Sequence, residues 1–253
     1  MSLALYPAIK LGKTELKLRE SISRLSTGLK VLGESSGSFS QGITLNAEAK
    51  SNQAAVSATQ VGIDLLNAAE AAMFELASLA ERLREIGIAD TDSTNDSNDT
   101  AALNAEATSV SDTIDDIVST LKFNGVAILG TSAKTFNVVK DQDGNTTAIK
   151  TTDGITATNV SDATGAQNTA NTLLGEITES LGDISGHLTS LGAYRNASSS
   201  MNAIQLQAAS KLMDTNFALE TAKLFKNKLI SSYAKNVVGT AINIEKDKLI
   251  VIA

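Results

Sequence analysis

The sequence predicts a mainly α-helical protein, a long antiparallel coiled-coil-like helical rod formed by both chain ends, with a small β-hairpin in the middle. Leucines and isoleucines recur at heptad-like spacing near each end of the 253-residue chain, a pattern typical of helices that pack along a seam. Pro7 is the single proline, and aromatic residues make up only 4 % of the chain. Long helices packed through aliphatic side chains are therefore expected.

The first helix is predicted over residues 3–32, with candidate breaks near Pro7 and Gly12. The glycine- and serine-rich segment Gly33–Gly42 then predicts an interruption, and residues 43–88 predict a long, alanine-rich helix. The apolar stripe of the first helix consists of Leu11, Leu18, Ile22, Leu25, Leu29 and Leu32.

Residues 90–100 are acidic and polar without periodicity, which indicates a solvated loop. Asp99 or Thr100 is the candidate N-cap of the helix that follows. In that helix the apolar positions recur every three or four residues, as in a coiled coil. These positions are Leu103, Ala107, Val110, Ile114, Ile117 and Leu121.

The period then changes, because residues 135–139 and 146–152 are β-prone and flank Asp143 and Gly144. This arrangement predicts a β-hairpin, followed by a loop over 153–168. Helix is expected again over 169–204 and, interleaved with lysines, over 206–240. The stripe of the first of these two helices consists of Leu174, Ile177, Leu181, Ile184, Leu188 and Leu191.

The composition excludes several classes of function. A net charge of −7 and a pI near 4.8 argue against a general nucleic-acid binder, and no apolar run is long enough to span a membrane. Without cysteine, the lone His187 cannot build an ordinary zinc site. Residues 141–145 look faintly like a calcium loop, but Thr146 and Thr152 stand where that motif needs Gly and Glu. With no catalytic or nucleotide motif either, the sequence predicts no enzyme, cofactor or metal.

Four segments together resemble bacterial flagellin. Residues 23–31 (SRLSTGLKV) match the family's N-terminal R-L-S-[ST]-G-L signature, and residues 62–86 follow its pattern without a gap. Residues 123–129 (FNGVAIL) are similar to F-N-G-x-x-[IVL]-L, and residues 191–196 (LGAYRN) to L-G-A-x-x-N. The resemblance covers residues 20–130 and 170–225, but the turn after Val31 and the last residues, NIEKDKLIVIA, depart from the family.

The resemblance implies a structural subunit, of a short form without large outer domains, that self-assembles into the helical flagellar filament for swimming motility. Residues 1–42 and 206–253 would form the filament inner core. Residues 43–130 and 169–205 would form the helical rod domain, with 131–168 as hairpin and loop. The protein would be extracellular, exported through the flagellar type III channel without a cleaved signal peptide.

The residues that match the family motifs are the predicted subunit interface. They are Arg24, Leu25, Gly28, Leu29, Arg82, Arg84, Glu85, Ile86, Asn124, Gly125, Leu191, Gly192 and Asn196. The implied partners are identical subunits, an export chaperone, the filament cap, hook-associated proteins and host Toll-like receptors, the last through residues 82–86; no nucleic acid or membrane partner is expected. Two alternatives remain open, a hook-associated junction protein and a secreted coiled-coil adhesin.

Overall fold

The computed structural model describes residues 5–30 and 36–252, with the side chains of residues 5, 7, 36, 245 and 247–252 left aside. Within these ranges it is mainly helical, which confirms the predicted fold class. The helices are α1 (Leu5–Thr27), α2 (Ser36–Ala89), α3 (Ser97–Thr120), α4 (Ala166–Met213) and α5 (Phe217–Ile252). The strands are β1 (Lys122–Phe123), β2 (Val126–Ala127), β3 (Lys134–Val139) and β4 (Thr146–Thr152).

The chain folds as two compact units. The first, called the terminal unit below, combines Met1–Ala47 with Ile204–Ala253, and the second, called the central unit, is Glu48–Ala203. In the terminal unit α1 packs against α5. In the central unit the strands form two antiparallel pairs, β1 with β2 and β3 with β4.

Helix α1 differs from its prediction at both candidate breaks and at its end. It continues through Pro7 and Gly12, because a proline in the first turn removes only an N–H that has no intrahelical acceptor. It ends at Thr27 rather than at residue 32, since Gly28 has a φ of 72° and serves as the left-handed C-terminal residue. Val31 and Leu32 lie outside the described residues.

The predicted interruption over residues 33–42 is wrong from residue 36 onward, because α2 already begins at Ser36; residues 33–35 lie outside the described part. Gly42 is a close packing position rather than a break. A Cβ added there would lie 2.3 Å from Cγ of Met213, so only a glycine allows this approach of α2 to the end of α4.

The N-cap of α3 is Asp96, not Asp99 or Thr100. One carboxylate oxygen of Asp96 accepts from the backbone N–H of Asn98 (2.6 Å) and Asp99 (2.9 Å). The Asp99 carboxylate in turn accepts from the backbone N–H of Asp96 at 3.1 Å, which completes a capping box. The backbone N–H groups of Asp99 and Asn98 hold the pKa of Asp96 below its usual value, since they bond its charged form.

The predicted β-hairpin is present as β3 and β4, with Phe136 opposite Ile149 in the register. In its turn the Asp141 carboxylate accepts from the backbone N–H groups of Asp143 (3.1 Å) and Asn145 (3.0 Å). The Asp141 carboxylate therefore stabilises the turn of the hairpin. The short β1–β2 pair was not predicted as strands; it closes over Asn124 and Gly125, whose positive φ values of 49° and 80° suit a two-residue hairpin.

The predicted boundary between the last two helices is wrong. Helix α4 runs unbroken to Met213, and α5 then continues to Ile252, well past residue 240. The break falls at residues 214–216, where the chain pairs with the segment after α1. Backbone bonds join Thr215 N to Gly28 O and Lys30 N to Met213 O, each at 2.8 Å.

The hydrophobic core belongs to the central unit. There α2, α3 and α4 contribute side chains that are at most 1 % exposed, and the hairpin and the following loop cover them. Burial of each such side chain stabilises the fold by about 1.5–3 kcal/mol. The largest fully buried side chains of the central unit are Leu66, Met73, Leu76, Leu83, Ile86, Ile114, Ile128, Leu129, Ile149, Ile155, Ile177 and Ile184.

Candidate assembly surface

The terminal unit lacks a comparable core. Among its described residues, Ala209 and Ala241 are the only buried hydrophobic side chains, whereas the large buried ones all lie in the central unit. Half-buried residues such as Leu18 and Leu25 add to this burial, but the terminal unit has no fully buried large apolar side chain among its described residues. Additional apolar contacts would therefore stabilise it.

Apolar side chains that could make such contacts are concentrated on the same unit. We call them the terminal apolar surface; Leu229 and Tyr233 on α5 are each 72 % exposed, and Phe225 is 61 % exposed. Large apolar side chains exposed in such number on one unit indicate an interaction surface. The surface consists of Tyr6, Ile9, Leu16, Ile22, Ile43, Ile204, Leu206, Phe217, Leu219, Phe225, Leu229, Ile230, Tyr233, Ile242 and Ile244.

A buried polar cluster fixes how α1 and α5 pair. The Glu220 side chain, 5 % exposed, accepts from the Ser21 hydroxyl at 2.7 Å and from Nε of Arg24 at 3.0 Å. Farther along the helices, Nζ of Lys235 lies 3.3 Å from a carboxylate oxygen of Glu15. Glu15 precedes Ser21 on α1, whereas its partner Lys235 follows Glu220 on α5. The two helices are therefore antiparallel.

The charge state of Glu220 follows from these partners. Burial alone would raise its pKa, but the Ser21 hydroxyl and the Arg24 guanidinium favour the carboxylate and bring the pKa below its ordinary value. A buried ion pair adds little net stability because both charges lose their hydration. It does penalise any other register of α1 on α5, since either charge would then be buried alone.

The other motif residues of the N-terminal signature lie beside this cluster. Leu25 and Leu29 are half-buried, and Leu29 forms an isolated antiparallel bridge with Asp214. Gly28 begins the turn that leads to this bridge, and the ring of Phe217 lies 3.6 Å from where a Cβ would be. The signature thus joins the end of α1 to the start of α5.

In the central unit, the motif residues of α2 have different environments. Arg82, Arg84 and Glu85 are exposed, whereas Ile86 is only 1 % exposed and packs in the core. Arg82 donates from Nε to Glu106 on α3 at 2.8 Å and from a terminal nitrogen to Glu85 at 2.9 Å. Because these pairs are exposed to solvent, they add little to the stability of the fold.

Of the five remaining motif residues, three are exposed, one is half-buried and one is buried. Asn124 and Gly125 are exposed at the tip of the β1–β2 hairpin. On α4, Leu191 is fully buried, Gly192 is half-buried and Asn196 is exposed. The sequence motifs therefore mix packing residues with residues that are available on the subunit surface.

The sequence reasoning missed the buried Glu220, and it did not show which apolar residues of α5 are exposed on the subunit. Their signal is weak because apolar residues of α5 occur around the whole helix rather than along one stripe. In the described part of the chain, no helix has the length and hydropathy of a membrane span. His187 is half-buried on α4, and the described residues contain no group of three or more side chains arranged to hold a metal.

The chain is similar in sequence to several known proteins. Residues 2–134 match the bacterial flagellin N-terminal helical region. The chain is 26 % identical to flagellin FlaB2 of Treponema pallidum and 25 % identical to the flagellar filament 33 kDa core protein of Treponema phagedenis, each over 90 % of this chain and 89 % of the relative. The crystal structure of Bacillus cereus flagellin covers 57 % of this chain and 86 % of its own at 23 % identity, with a TM-score of 0.38.

Proposed function

The chain belongs to the bacterial flagellin family and is a structural subunit of the flagellar filament, and we propose that its copies assemble through the terminal apolar surface. The observation that carries this proposal is the contrast between the two units. The central unit buries its own core, whereas the terminal unit exposes its large apolar side chains. Contacts between identical copies that do not close into a ring produce a helical polymer.

The proposed assignment of residues to the parts of the filament follows from the same contrast between the two units. Residues 1–42 and 206–253 form the inner core of the filament, residues 43–130 and 169–205 form the rod, and residues 131–168 form the hairpin and loop. Helix α4 continues to Met213. The proposed boundary at residue 206 between rod and inner core therefore lies within α4 and does not coincide with the end of a helix. The interface residues proposed from the motifs are those exposed on the subunit, such as Arg84 and Asn196.

The hook-associated alternative is not favoured. The two Treponema relatives are a flagellin and a filament core protein, and each aligns with this chain over nearly its full length. The adhesin alternative does not account for the match to the flagellin N-terminal region. The subunit is extracellular, as part of the filament. We propose that it has no enzymatic activity and that it is exported through the flagellar type III channel.

Seeded assembly of the purified chain tests the proposed function. Monomer mixed with short filament fragments is expected to lengthen the fragments, because a preformed end presents the complementary surface and removes the nucleation step. Negative-stain electron microscopy and sedimentation measure the product. A chain that stays monomeric with seeds and with sulfate, which strengthens apolar burial, would contradict the proposal.

Other partners are proposed on the family relationship. They are an export chaperone, the filament cap and hook-associated proteins, and co-purification of each with the chain tests them; failure to co-purify at micromolar concentration would reject that partner.

Recognition by host Toll-like receptors is proposed through the exposed Arg82, Arg84 and Glu85, with Ile86 supporting the helix from its buried face. We expect the receptor-reporter signal to decrease when Arg82 is replaced by alanine (Arg82→Ala). A parent protein that gives no signal would reject receptor recognition.

A further inference from the structure

Charge is distributed very unequally between the two units. The sequence ranges of the terminal unit contain 13 Lys and Arg against 7 Asp and Glu, a net charge of +6. The central unit contains 8 against 21, a net charge of −13. The overall net charge of −7 is thus the sum of two units of opposite sign, and units of opposite sign on different copies of the chain attract each other.

The positive charge converges on a groove between α1 and α5. The groove has a volume of about 510 Å³, and Glu20 is the only carboxylate among its lining residues. Lys10, Lys13 and Lys17 form one row on α1, about 10 Å long at the helical rise. Lys223 and Lys226 face them from α5. We call this feature the basic groove.

Part of this charge is already paired within the subunit. Lys223 lies 3.4 Å from Glu220, and Lys10 lies 5.7 Å from the ring centre of Tyr6. In the described part of the chain, Lys13, Lys17 and Lys226 have no carboxylate within 4.0 Å. Their mutual repulsion would be relieved by an acidic partner that enters the groove.

Helix α3 has the complementary chemistry. It contains five carboxylates and no basic residue, in contrast to α2 and α4, which carry both signs. Glu106 and Asp115 are engaged inside the subunit, with Arg82 and Thr158. Asp112 and Asp116 are exposed, one turn apart on the same face, and have no cation within 4.0 Å among the described residues.

We propose that the basic groove of one subunit receives the acidic face of α3, at Asp112 and Asp116, from a second copy of the chain. This inference rests on the proposed function and names an electrostatic contact beyond the terminal apolar surface. The contact aligns neighbouring subunits and favours association, and it weakens with ionic strength because exposed charges are screened over about 8 Å at 0.15 M salt.

The test compares critical concentrations of seeded assembly between about 20 and 300 mM NaCl. The unmodified chain is expected to show a critical concentration that rises with salt. The variant Lys13→Glu/Lys17→Glu/Lys226→Glu is expected to raise it about tenfold at the lowest salt and to remove most of the salt dependence. The matched control Arg19→Glu/Lys211→Glu/Lys228→Glu makes the same change in net charge at exposed positions outside the groove lining and is expected to have a smaller effect.

Charge exchange identifies the partner. Adding Asp112→Lys/Asp116→Lys to the groove variant is expected to restore the critical concentration to within a few-fold of the parent. Absence of restoration, or equal effects of the groove and control variants, would overturn the inference. Circular dichroism checks that each variant remains helical, and the salt series on the unmodified chain tests the inference without any variant. A parent chain that does not assemble at all would instead contradict the proposed function.

Discussion

Truncation after Asn216, which removes α5, is expected to abolish filament formation while the central unit stays folded. Eight members of the terminal apolar surface lie on α5, from Phe217 to Ile244. At about 1.5–3 kcal/mol for each side chain buried between copies, the loss is on the order of 10 kcal/mol per subunit. Such a change raises the critical concentration far beyond any accessible protein concentration. Sedimentation and electron microscopy measure assembly, and circular dichroism measures the remaining helix.

Two point variants test whether assembly depends on the terminal apolar surface itself rather than only on the presence of α5. Phe225→Asp on α5 and Phe74→Asp on α2 place the same charge at phenylalanines of similar exposure, 61 % and 58 %. We expect Phe225→Asp to raise the critical concentration at least a hundredfold, since it removes apolar area and requires a carboxylate to enter the interface. Phe74→Asp is expected to change it little. Normal filaments from the truncated chain, or equal impairment by the two variants, would contradict the assembly model.

The long helices and the β3–β4 hairpin of the central unit could be predicted from the sequence, because periodicity reflects packing within one subunit. The stripe on α4 predicted Ile177, Ile184 and Leu191, all of which are buried. Asp143 and Gly144 likewise predicted the β3–β4 hairpin. On α4 the stripe residues face neighbours in the same chain, and at the hairpin the turn joins two strands that pair with each other. In both cases the local pattern and the structure have one cause.

The terminal unit was less predictable for the converse reason. Its stripe residue Ile22 is half exposed, and α5 shows no single apolar face, so the pattern does not distinguish contacts inside the subunit from contacts between subunits. Long-range packing also overrode local signals. Gly42 predicted a break but lies inside α2 against Met213. The buried Glu220 has no local signature, because its partners Ser21 and Arg24 lie about 200 positions earlier in the chain.

Gly87→Ala is expected to destabilise the central unit severely, although alanine is the better helix former. Gly87 is buried near the end of α2, and an added Cβ would lie 2.3 Å from the backbone nitrogen of Gln167 and 3.0 Å from the carbonyl carbon of Ala166. These are backbone atoms of the first turn of α4, which cannot rotate away as a side chain would. Relief requires α2 and α4 to separate, and opening this contact weakens the core that both helices form with Ile86.

The expected loss is about 3 kcal/mol in the free energy of unfolding, measured by urea denaturation followed by circular dichroism. Gly175→Ala is the matched control, since an added Cβ on this exposed glycine of α4 would meet nothing within 4 Å. There the same substitution is expected to stabilise by about 0.5–1 kcal/mol, because alanine loses less conformational entropy in a helix. Equal urea midpoints for the two variants would show that α2 and α4 do not approach each other this closely, because the backbone contact at Gly87 is what reverses the sign of the effect there.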